Sequence, residues 1–213
     1  MRVLVACEFS GVVREAFKSK GHYALSCDLE KSSIPGNHYQ GNVLDILNDN
    51  WDLMIAFPPC TYLTVTGNRW LYHPEDKDKP FNERRPNPFH PNRLEKRKEA
   101  LNFVQQLLEA PIEKIALENP VGVISTNIRK PDQIIQPYEF GEPYEKRTCL
   151  WLKNLPKLEA TNIVDPTPRV LCPNGKTMSS WYRDTWNLPP KERTKVRNTT
   201  SLGIAAAIAN QWG

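Results

Sequence analysis

Trp51-Asp52-Leu53-Met54-Ile55-Ala56-Phe57-Pro58-Pro59-Cys60 decides the fold. Asp52 to Phe57 is a short, almost uninterrupted apolar run, the pattern of a strand buried on both faces of a parallel sheet. Pro58 and Pro59 end it, because neither has a backbone N–H to give to a ladder. The side chain that emerges there, on a backbone stiffened by two prolines, is the thiol of Cys60. In an open α/β sheet, the C-terminal end of a strand is where ligands bind. A free cysteine in that place reads either as a small buried hydrophobe or as a nucleophile.

Outward from this strand, apolar runs alternate with helical patterns. Arg2 to Cys7 reads as a first strand, Val12 to Ser19 as a helix stopped by Gly21, and Tyr23 to Cys27 as a second strand. A polar loop through Pro35-Gly36-Asn37 leads to Gly41-Asn42-Val43-Leu44-Asp45 and then to the Cys60 strand. Beyond it, residues 61–91 are aromatic, polar and proline-rich without a sustained period, which suits a long functional loop. Asn92 is placed to cap a helix over 93–109, and Lys114 to Leu117 is a short strand closing on Glu118-Asn119-Pro120. Thr148 to Leu152 reads as a further strand and Gly203 to Trp212 as an alanine-rich C-terminal helix. This alternation predicts an α/β fold, a Rossmann-like doubly wound and mostly parallel sheet, in a single domain over 1–213.

Composition narrows the function classes. No stretch approaches the roughly 18 apolar residues of a membrane span, and Met1 to Ala6 runs into a strand rather than a signal peptide. The five cysteines are odd in number and scattered, with no zinc-type spacing, so reduced thiols in a cytoplasm and no metal are expected. The net charge of +4 says little, but its distribution says more. Six basic residues lie between Arg84 and Lys98 and seven between Arg169 and Arg197. Each cluster reads equally as a phosphate-binding face or as a solvated surface.

Four constellations carry chemistry. The turn Glu8-Phe9-Ser10-Gly11 puts a glycine between a strand and a helix, either as a tight turn or as a place where a ligand nears the helix N-terminus. Asp28, about twenty residues on, stands where a carboxylate holds ribose hydroxyls in nucleotide-binding sheets; Asn42 and Asp45 follow a third strand as adenine-edge or turn residues. Cys60 and Glu118 both follow apolar strands and belong on one rim of the sheet. A thiolate and a carboxyl there suit covalent attack on a ring whose nitrogen the acid protonates or hydrogen-bonds, while Glu118 alone reads equally as an ordinary surface residue. Arg147, at the start of a strand, points to the same rim or is a solvated strand end.

Assembled in order, these residues resemble the cytosine-5 DNA methyltransferases, in particular the small phage-type members without a large target recognition domain. Cys7-Glu8-Phe9-Ser10-Gly11 is similar to the family's first cofactor motif, Asp28-Leu29 to its second-strand acid and adenine-packing residue, and Gly41-Asn42-Val43 to its Gly-Asp position. Pro58-Pro59-Cys60 resembles the Pro-Cys motif and Glu118-Asn119-Pro120 the Glu-Asn motif. Lys146-Arg147-Thr148 resembles the arginine-bearing strand, and Leu202-Gly203-Ile204-Ala205 the last motif. The sequence departs from the family pattern in the missing later glycines of the first motif, in Asn42 for an acid, and in Ile204 for an asparagine. Only about fifty residues separate Arg147 from the last motif.

The resemblance implies S-adenosyl-L-methionine as cofactor, leaving as S-adenosyl-L-homocysteine, with Pro58 and Gly203 also lining its site. It implies DNA as partner with the cytosine flipped out of a duplex, and catalysis by Cys60, Glu118 and Arg147. Residues 61–91 become a mobile catalytic loop, with Arg69, Arg84, Arg85 and Arg93 as DNA contacts, and 153–200 a reduced remnant of the recognition domain. Three alternatives stay open: a free cytosine nucleotide as substrate, a modified methyl donor, and an idle DNA-binding decoy on the same scaffold.

Overall fold

The computed structural model describes residues 1–173 and 175–213. In chain order its elements are β1 (Arg2–Ala6), α1 (Val12–Ser19), β2 (Tyr23–Asp28), β3 (His38–Gln40), β4 (Leu53–Ala56), α2 (Arg93–Leu108), β5 (Lys114–Pro120), α3 (Ile124–Asn127), β6 (Gln133–Ile135) and β7 (Thr148–Lys153). A hairpin of β8 (Arg169–Leu171) and β9 (Thr177–Ser179) follows, then α4 (Ser180–Asp184), α5 (Pro190–Asn198) and α6 (Leu202–Trp212).

Seven strands form one sheet in the order β3-β2-β1-β4-β5-β7-β6. The pairings from β3 through β5 are parallel, while β7 runs antiparallel to both its neighbours. This doubly wound, mostly parallel sheet with one reversed strand is Rossmann-like. The apolar runs are what the sheet buries. Leu53, Met54, Ile55 and Ala56 are all at most 1% exposed, because helices cover both faces. On one face α1 and α6 pack through Val13, Phe17, Ala205 and Ile208. On the other, Val104 and Leu107 of α2 meet Leu4, Met54 and Leu117.

The strand order reverses between β1 and β4, and the crevice beyond such a switch point is where this architecture takes ligands. The segments after β1 and β4 therefore meet there, joined by the Phe57 N–H donating to the Ala6 carbonyl at 2.9 Å. Among the described residues no helix is long and apolar enough to cross a membrane.

Candidate active site

Cys60 opens a tight turn, whose Leu63 and Thr64 N–H groups donate to its carbonyl at 2.9 and 3.1 Å. The neighbouring strand fixes this turn from the side. Asn119 donates its side-chain amide to the buried Pro58 carbonyl at 2.8 Å, and the Val123 N–H reaches the Leu63 carbonyl at 2.8 Å. The ends of β4 and β5 are thus stitched together, with the half-buried Cys60 thiol on one and Glu118 on the other.

Glu118 opens on a cleft of about 510 Å³, counting its mouth, walled by Phe57, Tyr144, Lys146, Thr148 and Ile204. The parity of β7 decides which basic residue shares it. Glu118 pairs with Leu150, so Thr148 and Leu150 lie on its face, and Lys146 two residues earlier joins them. Arg147 falls on the other side, exposed and close enough to Cys149 to favour its thiolate. Arg147, expected on the rim of Cys60 and Glu118, precedes β7 and is exposed, and it is its neighbour Lys146 that lines the cleft beside Glu118. The Lys146 ammonium donates to the Arg197 carbonyl at 2.7 Å, tying β7 to α5.

Burial pushes the Cys60 thiol up, the Glu118 charge adds to this, and Lys146 opposes it. Burial likewise raises the Glu118 carboxyl, again with Lys146 opposing. The resting pair is therefore biased toward a thiol beside a protonated acid, with one ammonium near both. A protonated carboxyl can donate a hydrogen bond or a proton to a ring nitrogen.

On the other side of the switch point, the turn after β1 is largely self-satisfied. Glu8 is 4% exposed, and its carboxylate accepts from the Val13 N–H at 2.7 Å and the Ser10 hydroxyl at 3.0 Å. It holds the start of α1. Gly11 sits at φ 77°, and a Cβ there would lie 2.6 Å from Ile34 Cγ1, so glycine is required. The Phe9 carbonyl accepts from the Ser33 N–H at 2.7 Å. Sequence reasoning missed Arg14, which is fully buried and donates to Ser26 Oγ at 2.9 Å, Ser32 Oγ at 3.1 Å and the Pro35 carbonyl at 3.0 Å. It wraps the 32–37 loop around α1; nothing in its sequence setting distinguishes it from a solvated helix arginine.

Asp28 ends β2, and its Oδ1 accepts from the Glu30 N–H at 2.9 Å. Leu29 beside it is 74% exposed, an apolar side chain left in water at the crevice edge. Asn42 accepts from the Leu44 N–H at 3.1 Å, and Asp45 from the Tyr39 hydroxyl at 3.4 Å, so both serve the local turn. Gly203 is packed so closely on the Phe140 carbonyl that a Cβ would run into it, and its N–H donates to Glu142 Oε1 at 3.2 Å. Ile204 lines the cleft.

The four arginines assigned to DNA divide. Arg85 grips the buried Asp76 with both Nε and Nη2 at 2.9 Å. Arg84 donates to the Lys77 and Lys79 carbonyls at 2.7 Å each. Both hold the 61–91 segment together. Arg93 reaches the Thr61 carbonyl at 3.0 Å, while Arg69 is exposed with its guanidinium over the Trp70 ring, 4.8 Å from the centroid.

No protein-family model matches the chain, and no curated protein does. Among solved structures, a Spodoptera frugiperda DNMT2 triple mutant aligns at 18% identity and a TM-score of 0.41, over 78% of this chain and 55% of that one. A putative DNA modification methyltransferase encoded within an Escherichia coli prophage aligns at 14% identity and a TM-score of 0.44, over 89% of this chain and 56% of that one. The chain spans little more than half the length of either. These are likenesses of shape at low identity.

Proposed function

We propose that the chain methylates carbon 5 of cytosine in DNA through a transient bond between Cys60 and carbon 6. The observation that carries this reading is the pairing of Cys60 and Glu118 at the mouths of adjacent strands, locked by the Asn119–Pro58 hydrogen bond and with the acid biased toward its protonated form.

A cytosine inside a duplex is out of reach, so the base swings out, at an unstacking cost of about a few kcal/mol. Cys60 loses its proton to solvent and attacks carbon 6 while Glu118 gives its proton to ring N3. The ring's electron pair is thereby directed to carbon 5, which takes the methyl group. Loss of the carbon-5 proton then expels the Cys60 thiolate, and N3 returns its proton to Glu118. Lys146, on the face of Glu118, is the cation available to the ring O2. Its present bond to Arg197 connects that role to the 153–200 segment, which, apart from position 174, comprises a hairpin and two short helices.

S-adenosylmethionine, when bound, supplies an electrophilic methyl group. The residues fit it unevenly. Asp28 at the end of β2 suits ribose hydroxyls and the exposed Leu29 suits an adenine face, with the 7–11 turn and Pro58 flanking the crevice between them. Glu8, Asn42 and Asp45 already have local partners and act by shaping the turns.

The test is incubation with labelled S-adenosylmethionine and either DNA or dCMP, followed by digestion. Label recovered as 5-methylcytosine from DNA, and abolished by Cys60→Ser, supports the reading. Label in dCMP alone, or none despite cofactor binding, sinks it.

A further inference from the structure

Beside the Cys60 turn lies a second, open recess, of about 440 Å³ counting its mouth, bounded by Tyr62, Phe89, His90, Asn92, Arg93 and Lys96. We propose that it binds an unpaired nucleotide next to the target cytosine, so that the preferred DNA is single-stranded or locally melted. This rests on the DNA reading above.

Its chemistry is that of a nucleotide with a free base face. The Arg93 guanidinium and the Lys96 ammonium both lie over the Tyr62 ring, 5.1 and 5.8 Å from its centroid. Two cations on one aromatic wall suit a phosphate beside a stacked base. Arg93 uses Nη2 on the Thr61 carbonyl, and its Nε has no hydrogen-bond partner among the described residues. Asn92 leaves the first turn of α2 without a side-chain cap, so backbone N–H groups there add to the positive field.

Phe89 is the most telling wall. It is 79% exposed, yet the Phe89 N–H is fixed to Asn87 Oδ1 at 3.0 Å, and Asn87 itself is buried. A large ring left in water on a fixed stretch of backbone serves nothing in the core, whereas it offers a stacking platform for a base. The neighbouring His90 meets Trp70 edge-on at 5.4 Å, and Arg69 covers the Trp70 ring, which extends the same cationic, aromatic surface along the 61–91 segment. Bases in a duplex are stacked and paired and offer a face only at the gap that a flipped base leaves, whereas a single strand offers one without that unstacking cost. The recess also communicates with the nucleophile. Arg93 and Arg97 donate to the Thr61 and Tyr62 carbonyls at 3.0 and 2.9 Å, immediately after Cys60.

The experiment uses the full chain carrying Cys60→Ser, with fluorescence anisotropy on a short single-stranded oligodeoxynucleotide holding one cytosine and on its duplex. The single strand is expected to bind about tenfold more tightly. Phe89→Ala together with Lys96→Ala removes that preference while leaving duplex and S-adenosylmethionine binding within about twofold. Lys96→Ala alone lowers the slope of log affinity against log salt by about 0.7 on the single strand. Equal affinities for the two DNAs, a preference that survives both substitutions, or no binding to either DNA overturns the proposal. Failure of the methyl-transfer reading registers separately, as wild-type protein that forms no 5-methylcytosine although the affinity ratio behaves as expected.

Discussion

Asn119 donates its side-chain amide to the carbonyl of Pro58 at 2.8 Å, and both residues are buried. Adjacent residues of β5 thereby do two different jobs on opposite faces. Glu118 looks into the cleft, while Asn119 turns away and holds the backbone that carries Cys60. The Pro58 carbonyl is buried beyond the end of β4, and the Asn119 amide is the donor that satisfies it.

Replacing Asn119 by alanine leaves that carbonyl unsatisfied and costs about 1–3 kcal/mol of stability. The expected activity loss is about 10- to 100-fold in kcat, from misplacement of the nucleophile, with S-adenosylmethionine affinity unchanged. Thermal unfolding and single-turnover methyl transfer measure the two separately. A lowered Tm with unchanged kcat would show the bond to be structural only.

The raised Glu118 and Cys60 pKa values predict a particular pH profile. The reactive form needs Glu118 protonated and Cys60 ionised. Below the Glu118 pKa the rate climbs with pH as thiolate accumulates. Between the two pKa values, gain of thiolate and loss of the acid cancel, so the rate is flat. Above the Cys60 pKa it falls. Glu118→Gln keeps a hydrogen bond but has no proton to give. Its kcat drops by about 10²–10⁴, and its rate keeps climbing about tenfold per pH unit through the neutral range until Cys60 is ionised. A flat profile in the Gln variant would remove Glu118 as the acid.

Lys146 and Arg147 are separable by substitution. Lys146→Met should lower kcat by about 10²-fold and raise the pH at which the profile bends, since Lys146 pulls both Glu118 and Cys60 downward. Lys146→Arg should recover part of the loss. Arg147→Ala, an exposed residue before β7, should stay within about threefold of wild type. The reverse ranking in a kcat and pH-profile comparison would return the role to Arg147.

Asp76 anchors the 61–91 segment, and the side chain of Arg85, then its N–H, then Lys79, hold its carboxyl far below the usual carboxylate range. With a depressed folded-state pKa, its stabilisation is fully present above the unfolded value of about 3.9 and is lost as pH falls below it. Protection of residues 71–87 from hydrogen exchange should therefore be constant from about pH 5 upward. Asp76→Asn should lose it at neutral pH. Undiminished protection in that variant would place the order of the segment elsewhere.

Much of this architecture is legible in the sequence because burial writes itself as apolar runs. β1, β2, β4, β5 and β7 all stand out this way, and α1 is bounded by its glycines at 11 and 21. The β8–β9 hairpin, α4 and α5 do not. α5 buries no residue, so its sequence carries no apolar period to read. Cys60 and Glu118 could be paired from sequence because each ends an apolar strand. Choosing Lys146 over Arg147 required the lining of the cleft, and no residue type in Glu145-Lys146-Arg147 encodes which of them enters it. Arg84 and Arg85 likewise read as free charge until Asp76 and the loop carbonyls are seen to hold them.

The most direct test is chemical capture of the thiol. An oligodeoxynucleotide carrying 5-fluorocytosine, incubated with the protein and S-adenosylmethionine, cannot lose its carbon-5 substituent as a proton, so elimination of the enzyme is blocked. The account predicts a stable covalent complex whose mass is that of protein, oligonucleotide and one methyl group, mapped by peptide sequencing to Cys60 and missing from Cys60→Ser. A folded, cofactor-binding protein that forms no adduct, or an adduct that maps to Cys7, Cys27, Cys149 or Cys172, would contradict it.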